Sequence, residues 1–278
     1  MRVIGLALLV MLLSGCAPTQ LSLQTSARNI AANASFTSKL IPTTGFNVVS
    51  FGRISDVTKP VRFYLEGDGK AWITRNQISL NPTPEHPTAL QLAALDQSPN
   101  VAYIARPCQF RDTGADKKCT PFYWTDGRYH SDIIQAVNAA IQVWLPSDAD
   151  VELVGYSGGG AIALLVAAHL LADGMPVKGI TTVAGNLDTE LFTRHHKVSP
   201  TKGSLNPADI ADKLKHIPQR HLRGSSDKII PASLYRSYVS ASGGSQCNQL
   251  ITVDDVAHRK GWLKAWPALY EWRPTCGN

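Results

Sequence analysis

Ser157 is the residue best placed to act as a nucleophile, because it stands in the pentapeptide Gly155-Tyr156-Ser157-Gly158-Gly159. An apolar stretch at 151–154 precedes it and a nearly all-apolar stretch at 159–171 follows, which predicts a strand, a sharp turn and a buried helix. Such a turn holds the hydroxyl clear of the backbone, and the flanking glycines avoid collisions with neighbouring elements. The backbone N–H of Gly158 can face a developing oxyanion. The alternative is a glycine-rich turn that only packs a helix on a strand.

A serine hydroxyl needs a base within hydrogen-bond reach, and that base needs an acid to orient it. His258 follows the last predicted strand and precedes the last predicted helix, which is where this chain order places the base. His195 and His196 fall in a connection between a strand and a helix, where they could line a pocket. The remaining histidines after the serine are expected to be structural: His169, His216 and His221.

The acid has two candidates, each following a predicted strand. Asp227 lies in a short loop after the strand at 219–222, and Asp188 lies just past the preceding strand. Functional residues of α/β proteins collect at the carboxyl ends of strands. We favour Asp227 and keep Asp188 as its rival. Asp254 and Asp255 are close in sequence to the base and could be solvated turn residues.

A second oxyanion donor is expected from the segment Leu65-Glu66-Gly67-Asp68-Gly69, which ends an earlier predicted strand. The backbone N–H of Asp68 is the candidate, since Gly67 lets the chain approach closely. A carboxylate beside an oxyanion would oppose it. We therefore expect the carboxylates of Glu66 and Asp68 to point away, towards Lys70 or an arginine. The alternative is a simple turn.

The elements that must position these residues alternate along the chain. Strands are predicted at 46–54, 61–65, 101–105, 151–154, 177–183, 219–222 and 249–253. Helices are predicted at 88–95, 131–145, 159–171, 207–214, 231–240 and 259–270, with a long loop at 66–88. This alternation predicts a mostly parallel sheet with helices on both faces. We see no linker within 41–278 and predict one α/β domain there.

The N-terminus predicts export. Arg2 precedes an apolar run at 3–13, which is too short to span a bilayer and is typical of a secretory signal. Leu13-Ser14-Gly15-Cys16 resembles the lipobox of bacterial lipoproteins, a resemblance that implies cleavage after residue 15 and a lipid on Cys16. Residues 16–40 would then be the lipidated cysteine and a flexible tether. Ala17 is not the Asp that retains some lipoproteins in the inner membrane, so the outer membrane is favoured in a Gram-negative cell.

Four cysteines remain after Cys16. An exported protein folds in an oxidising space, where disulfides are favoured. We predict the pairs Cys108–Cys119 and Cys247–Cys276, because each pair lies within one local segment. The alternative is free buried thiols.

The composition excludes several classes of protein and of ligand. The chain has 278 residues, 44% of them hydrophobic and 17% charged, with a net charge of +6. These values exclude collagen, coiled coils, disulfide miniproteins and multi-span membrane proteins. No basic run with interleaved aromatic residues indicates nucleic-acid binding. No metal-ligand spacing is present, and the glycines after Ser157 lack the lysine of a phosphate-binding loop, so no cofactor is expected.

Over nearly all of 45–275 the chain resembles the α/β-hydrolases, and more narrowly a group of bacterial envelope hydrolases. Three segments carry the narrower resemblance: Leu65 to Gly69, Arg106-Pro107-Cys108-Gln109-Phe110 with Cys119 and Tyr123-Trp124-Thr125, and Val183-Ala184-Gly185-Asn186-Leu187-Asp188. The resemblance implies a triad of Ser157, Asp227 and His258. Glu66 stands where many lipases and esterases carry a histidine.

The expected function is therefore that of a serine hydrolase acting on a carboxylic ester of a small-molecule or acyl substrate. A peptidase or amidase of the same fold and a non-catalytic envelope binding protein are the alternatives. The connection at 186–206 predicts a short, polar lid insertion, which argues against a triglyceride lipase. Trp72, Tyr123 and Trp124 lie in loops expected near the mouth, where they could line a pocket or serve packing.

Overall fold

The computed structural model of the protein describes residues 18–271 and 273–277. Its centre is a mostly parallel sheet of eight strands. They are β1 (Thr37–Thr43), β2 (Phe46–Ile54), β3 (Val61–Leu65), β6 (Asn100–Ile104), β7 (Val151–Tyr156), β8 (Val177–Val183), β9 (Gln219–Gly224) and β10 (Asn248–Val253). Across the sheet they are arranged in the order β1-β2-β6-β3-β7-β8-β9-β10. β1 and β2 pair antiparallel, as do β2 and β6, and every later pairing across the sheet is parallel. The predicted fold class is confirmed.

Helices cover both faces of the sheet. They are α1 (Gln20–Asn33), α2 (Thr88–Leu95), α3 (Ser131–Trp144), α4 (Gly158–Ala172), α5 (Thr189–His196), α6 (Ala232–Ala241) and α7 (Trp262–Leu269). α3 and α4 contribute to one apolar core, and α1, α2 and α7 to the other. Short 3-10 helices span Thr113–Ala115, Pro121–Trp124 and Pro207–Leu214. The central strand β3 is buried along its whole length, as expected for a parallel strand covered on both sides.

The N-terminal segment differs from the flexible tether predicted for residues 16–40. α1 occupies Gln20–Asn33, and its Leu23, Ala27 and Ala31 are buried against the domain. The spacing of four residues puts these small apolar side chains on one helix face, which gives the segment a reason to fold. β1 then extends the sheet from Thr37, so the tether prediction was wrong for the described part of this segment. The signal sequence and Cys16 lie outside the described residues.

Both predicted disulfides are confirmed. Cys108 bonds to Cys119 across 11 residues of sequence, and Cys247 bonds to Cys276 across 29. The first disulfide lies in the long connection between β6 and α3. The second ties the segment before β10 to the end of the described chain.

The long loop after β3 contains a small hairpin of two strands, β4 (Trp72–Thr74) and β5 (Gln77–Ile78), that the sequence did not predict.

Within 18–271 and 273–277, we find no helix with both the length and the apolar character to cross a bilayer.

Candidate active site

The turn between β7 and α4 presents Ser157 at the carboxyl edge of the sheet. Its backbone has a φ of 53°, in the left-handed region that non-glycine residues rarely adopt. A side chain on Gly155 would come within 2.1 Å of the Gly159 carbonyl oxygen, and one on Gly159 within 2.2 Å of the Leu65 carbonyl oxygen. These close approaches explain why both positions need glycine. The strained serine is partly exposed, so its hydroxyl is accessible.

His258, the candidate base, lies beside the serine in the structure. Its Nε2 lies 3.0 Å from the Ser157 Oγ, and its Nδ1 lies 3.0 Å from Oδ2 of Asp227. Two donors fix the backbone of the histidine, since the Tyr156 hydroxyl and the Trp262 indole N–H both donate to its carbonyl oxygen. Trp262 is the buried first residue of α7, so this hydrogen bond ties His258 to the helix.

Asp227 is held by a tight turn after β9. Its Oδ1 accepts hydrogen bonds from the N–H groups of Ile229 at 2.7 Å and Ile230 at 3.0 Å, which leaves Oδ2 for the histidine. Burial alone would raise the pKa of this carboxyl. The hydrogen bonds from His258 and from the two backbone N–H groups outweigh burial, so the pKa lies below its usual value. The carboxylate is therefore ionised and fixed in orientation at neutral pH.

Asp188, the other candidate acid, caps a helix and is not hydrogen-bonded to His258. It is the N-cap of α5, where its Oδ1 accepts from the Leu191 N–H at 2.9 Å. Its Oδ2 accepts from the Ser237 hydroxyl at 2.6 Å, which joins α5 to α6. These contacts occupy both oxygens, and the contacts of His258 go to Asp227 instead. Asp254 and Asp255 are exposed turn residues.

The other histidines lie outside the hydrogen-bonded chain. His196 contacts the loop that contains Asp227, with its Nε2 2.8 Å from the Ile229 carbonyl oxygen. His195 packs against the His196 ring. His221 is buried in β9 beside Thr182 and Asn248, and burial lowers its pKa to about 4. His169 and His216 belong to the body of the domain, at the end of α4 and before β9.

The loop after β3 approaches the nucleophile as the glycine at position 67 suggested. A side chain on Gly67 would lie 3.5 Å from the Ser157 Cβ, so this backbone passes directly over the serine. The Gly67 N–H is already used, because it donates to the Glu66 carboxylate at 2.9 Å. The Asp68 N–H has no acceptor among the described residues. Asp68, rather than its neighbour, thus offers a free donor beside that of Gly158.

The Asp68 carboxylate points to arginines, one of the two directions expected for it. It accepts from Arg106 and Arg128, each at 3.1 Å, and from the Tyr129 hydroxyl at 3.3 Å. Although burial opposes ionisation, the two guanidinium groups lower the pKa of Asp68. Its negative charge is therefore compensated where the carboxylate lies against Gly158. Lys70 pairs instead with Glu85 on the surface.

Glu66 is a buried carboxyl without a cation partner in the described structure. It accepts from the N–H groups of Gly67 and Ala89 and from the Tyr103 hydroxyl, which joins the loop to the start of α2. Burial raises the pKa of Glu66 to about 7, against the lowering effect of these donors. The sequence showed this residue in place of a histidine but did not indicate its contacts.

Of the aromatic residues expected near the mouth of the active site, two are packed in the domain and one is exposed. Trp124 is buried and its indole N–H donates to the Ser79 carbonyl oxygen, and Tyr123 donates to Asp132. Both serve packing. Trp72 is 39% exposed on the β4–β5 hairpin. The tip of this hairpin reaches the connection after β8, where Arg75 donates to the Lys197 carbonyl oxygen at 3.1 Å.

Comparison with solved structures identifies the fold. A putative lipase from Acinetobacter baumannii superposes with a TM-score of 0.59 at 14% identity, covering 92% of this chain and 97% of that one. An esterase from Pyrococcus furiosus superposes with a TM-score of 0.55 at 13% identity, over 85% and 91% of the two chains. A puromycin hydrolase gives 0.56 at 13% identity over 84% of this chain, which spans only 37% of that protein's length. No protein-family model and no curated protein matches the chain. The chain has the α/β-hydrolase fold.

Proposed function

We propose that the protein is a serine hydrolase that cleaves a carboxylic ester through an acyl-enzyme on Ser157. The observation that carries this proposal is the hydrogen-bonded chain from Ser157 through His258 to Asp227, with both links at 3.0 Å. A reacting carbonyl at the serine would also face the unused N–H groups of Gly158 and Asp68. Under this proposal the candidate nucleophile, base, acid and oxyanion donors would all act on the same carbonyl group.

In the proposed mechanism, the Ser157 Oγ attacks the ester carbonyl carbon while its proton moves to Nε2 of His258. The N–H groups of Gly158 and Asp68 stabilise the oxyanion that forms. The imidazolium then gives its proton to the leaving alcohol, and the serine keeps the acyl group. Water attacks this acyl-enzyme in the same way, which releases the carboxylic acid and restores the serine. Asp227 orients the imidazole and stabilises its charged form.

The proposal that Ser157 is catalytic is tested with a fluorophosphonate probe and p-nitrophenyl butyrate. The parent should be labelled and should hydrolyse the ester, and Ser157→Ala should lose both while its fold is intact by circular dichroism. A non-catalytic binding protein would not be labelled. Retention of more than a few per cent of the activity by Ser157→Ala would overturn the assignment.

The same assay tests whether serine and histidine act as a unit. His258→Ala should lose about as much activity as Ser157→Ala, and the double variant should be no worse than either single one. Losses that multiply would show that the two residues act independently.

An amidase or peptidase is the second candidate, since puromycin hydrolases are among the similar structures. The same acyl-enzyme chemistry would serve an amide, except that the leaving group is an amine. Matched p-nitrophenyl ester and p-nitroanilide substrates with the same acyl group separate the two. A higher kcat/KM on the anilide would favour the amidase.

We further propose that Cys16 carries a lipid that anchors the protein in the bacterial cell envelope, with the outer membrane favoured over the inner one. The lipobox sequence at 13–16 supports this proposal. The substrate would then be a small molecule or acyl compound within reach of a membrane surface.

A further inference from the structure

The orientation of one peptide group decides whether Asp68 can serve as an oxyanion donor. The bond between Gly67 and Asp68 is trans, so the carbonyl of residue 67 and the N–H of residue 68 point in opposite directions. Whatever fixes the carbonyl therefore also aims the N–H. The group that fixes it is the side chain of Gln109, whose Nε2 donates to the Gly67 carbonyl oxygen at 3.0 Å.

Gln109 and the serine turn both lie against this loop. A side chain on Gly69 would come within 2.7 Å of the Gln109 Nε2, and one on Gly67 would lie 3.5 Å from the Ser157 Cβ. Because the Gly67 carbonyl is directed to Gln109, the Asp68 N–H points away from the glutamine.

Gln109 is itself held rigidly. It is 1% exposed, and its Oε1 accepts from the Arg106 N–H at 3.3 Å. The residues on either side of it, Cys108 and Phe110, both have left-handed backbones, with φ values of 72° and 57°. Such backbone strain persists only where the surroundings impose it. Here the disulfide to Cys119 and a hydrogen bond from the Phe110 N–H to Thr83 hold the segment.

We propose that Gln109 is a positioning residue of the active site, which aims the backbone N–H of Asp68 at the oxyanion by holding the Gly67 carbonyl. This inference rests on the proposed hydrolase function. In the same segment, Arg106 binds the Asp68 carboxylate, so one strained turn controls both the peptide and the side chain of the donor residue. The glutamine touches no reacting atom and acts through the loop.

The test is substitution of Gln109 by leucine and by glutamate, assayed on p-nitrophenyl butyrate. Leucine cannot donate to the Gly67 carbonyl oxygen, and neither can an ionised glutamate. Because burial raises the pKa of a carboxyl group, the parent and both variants are compared at pH 8 to 9. Loss of one oxyanion donor lowers kcat by about 10²-fold to 10³-fold. We expect both variants to lose about 10²-fold in kcat with KM within about threefold of the parent, because the oxyanion exists only in the transition state. The inhibition constant of a trifluoromethyl ketone, which forms a tetrahedral oxyanion on the serine, should rise by a similar factor.

Gln219 supplies the matched control. It is also a fully buried glutamine, its Nε2 donates to the Leu214 carbonyl oxygen at 2.9 Å, and its Oε1 accepts from Tyr238. It lies at the start of β9, at the sheet edge opposite the site. Gln219→Leu should lower the unfolding midpoint in urea while kcat stays within about threefold.

The outcomes separate this inference from the proposed function. A parent protein that neither reacts with fluorophosphonate nor cleaves the ester would overturn the hydrolase proposal. An active parent with a folded Gln109→Leu variant whose kcat is within about threefold would overturn only the positioning role. Equal losses of kcat in the Gln109 and Gln219 variants would also overturn only the positioning role of Gln109. Should the leucine variant not fold, Gln109→Glu keeps the side-chain size and the acceptor for Arg106, and supplies the same comparison.

Discussion

Asp227 and Asp188 have the same side chain but different hydrogen-bond partners, and these partners distinguish the candidate acid from a helix cap. Asp227 holds the Nδ1 of His258, whereas Asp188 caps α5 and accepts from Ser237. An amide in place of the acid can hold the imidazole in the wrong tautomer, which costs up to about 10⁴-fold in the best-studied triad. We predict that Asp227→Asn lowers kcat near pH 7 by at least about 10²-fold. Steady-state kinetics on a soluble ester measure this loss.

Asp188→Asn is the matched control for that prediction. It should stay within about tenfold of the parent in kcat and lose about 1 kcal/mol of stability, because asparagine still caps α5 but its NH2 group cannot accept from the Ser237 hydroxyl. The reverse ranking, with both variants folded, would make Asp188 the acid.

Glu66 should make the stability of the protein depend on pH. Its pKa is raised from 4.5 to about 7 in the folded state, so folding takes up a proton between these values. The contribution of this residue therefore falls as pH rises from about 4.5 to above 7. Glu66→Gln cannot ionise and lacks this fall, while an amide can still accept from the Gly67 N–H.

Urea unfolding of parent and Glu66→Gln between pH 5 and pH 8 measures this difference. The unfolding free energy of the parent relative to the variant should drop by up to about 3 kcal/mol over that range. A difference that stays constant with pH would show that Glu66 does not titrate there.

At the scale of elements, the Cys108–Cys119 disulfide links stability to the site. Replacing both cysteines by serine removes a cross-link across 11 residues, worth about 3 kcal/mol on the chain-entropy estimate. Because Cys108 precedes Gln109, the double variant should also lose kcat. Urea unfolding and ester kinetics on the same preparation measure the two effects.

The Cys247–Cys276 disulfide provides the control for this prediction. Its closed loop is longer, so its loss should cost at least as much stability. It lies away from the carboxyl edge of the sheet, so kcat should stay within about threefold. Equal kcat losses in the two double variants would mean that the effect on activity is a general consequence of destabilisation.

The sequence predicted most elements whose apolar pattern is strong. β3, β8 and α2 have the predicted bounds, because buried strands and amphipathic helices have a periodicity that can be read directly. α1 was missed since its buried face consists mainly of alanine among polar residues. α5 was missed because it is short and polar, and its N-cap Asp188 was read as a candidate acid.

The candidate triad could be predicted because chain order and strand ends constrain it. Each of its three residues follows a parallel strand, and those strand ends meet at one sheet edge. The contacts of the loop after β3, which contains Asp68, could not be predicted in the same way. Gln109, Arg106 and Arg128 reach this loop from a long connection of irregular structure, whose path no periodic pattern indicates.

At the scale of the whole molecule, the docked helix α1 shortens the distance that we expect between the domain and a membrane anchor at Cys16. A flexible tether to residue 40 would have allowed the domain to reach roughly 27 Å from its anchor. α1 begins at Gln20, four residues after Cys16. An extended chain of this length spans at most about 14 Å. A lipid on Cys16 would therefore hold the start of α1, and the domain packed against it, close to the bilayer surface.

Cys16→Ser tests the anchor without touching the site. We predict that this variant, with residues 1–15 replaced by the signal peptide of a soluble secreted protein, leaves the membrane fraction and appears in the soluble fraction after cell lysis, because neither a lipid nor an uncleaved signal then holds it. Its kcat on a soluble ester should equal that of the parent. The hydrogen-bonded chain of Ser157, His258 and Asp227 lies at the carboxyl edge of the sheet, whereas α1 packs mainly against α2 and β1. Immunoblots of fractionated cells, with washing in high salt, measure the release. A variant that still sediments with membranes after this wash would show that another part of the protein binds the bilayer.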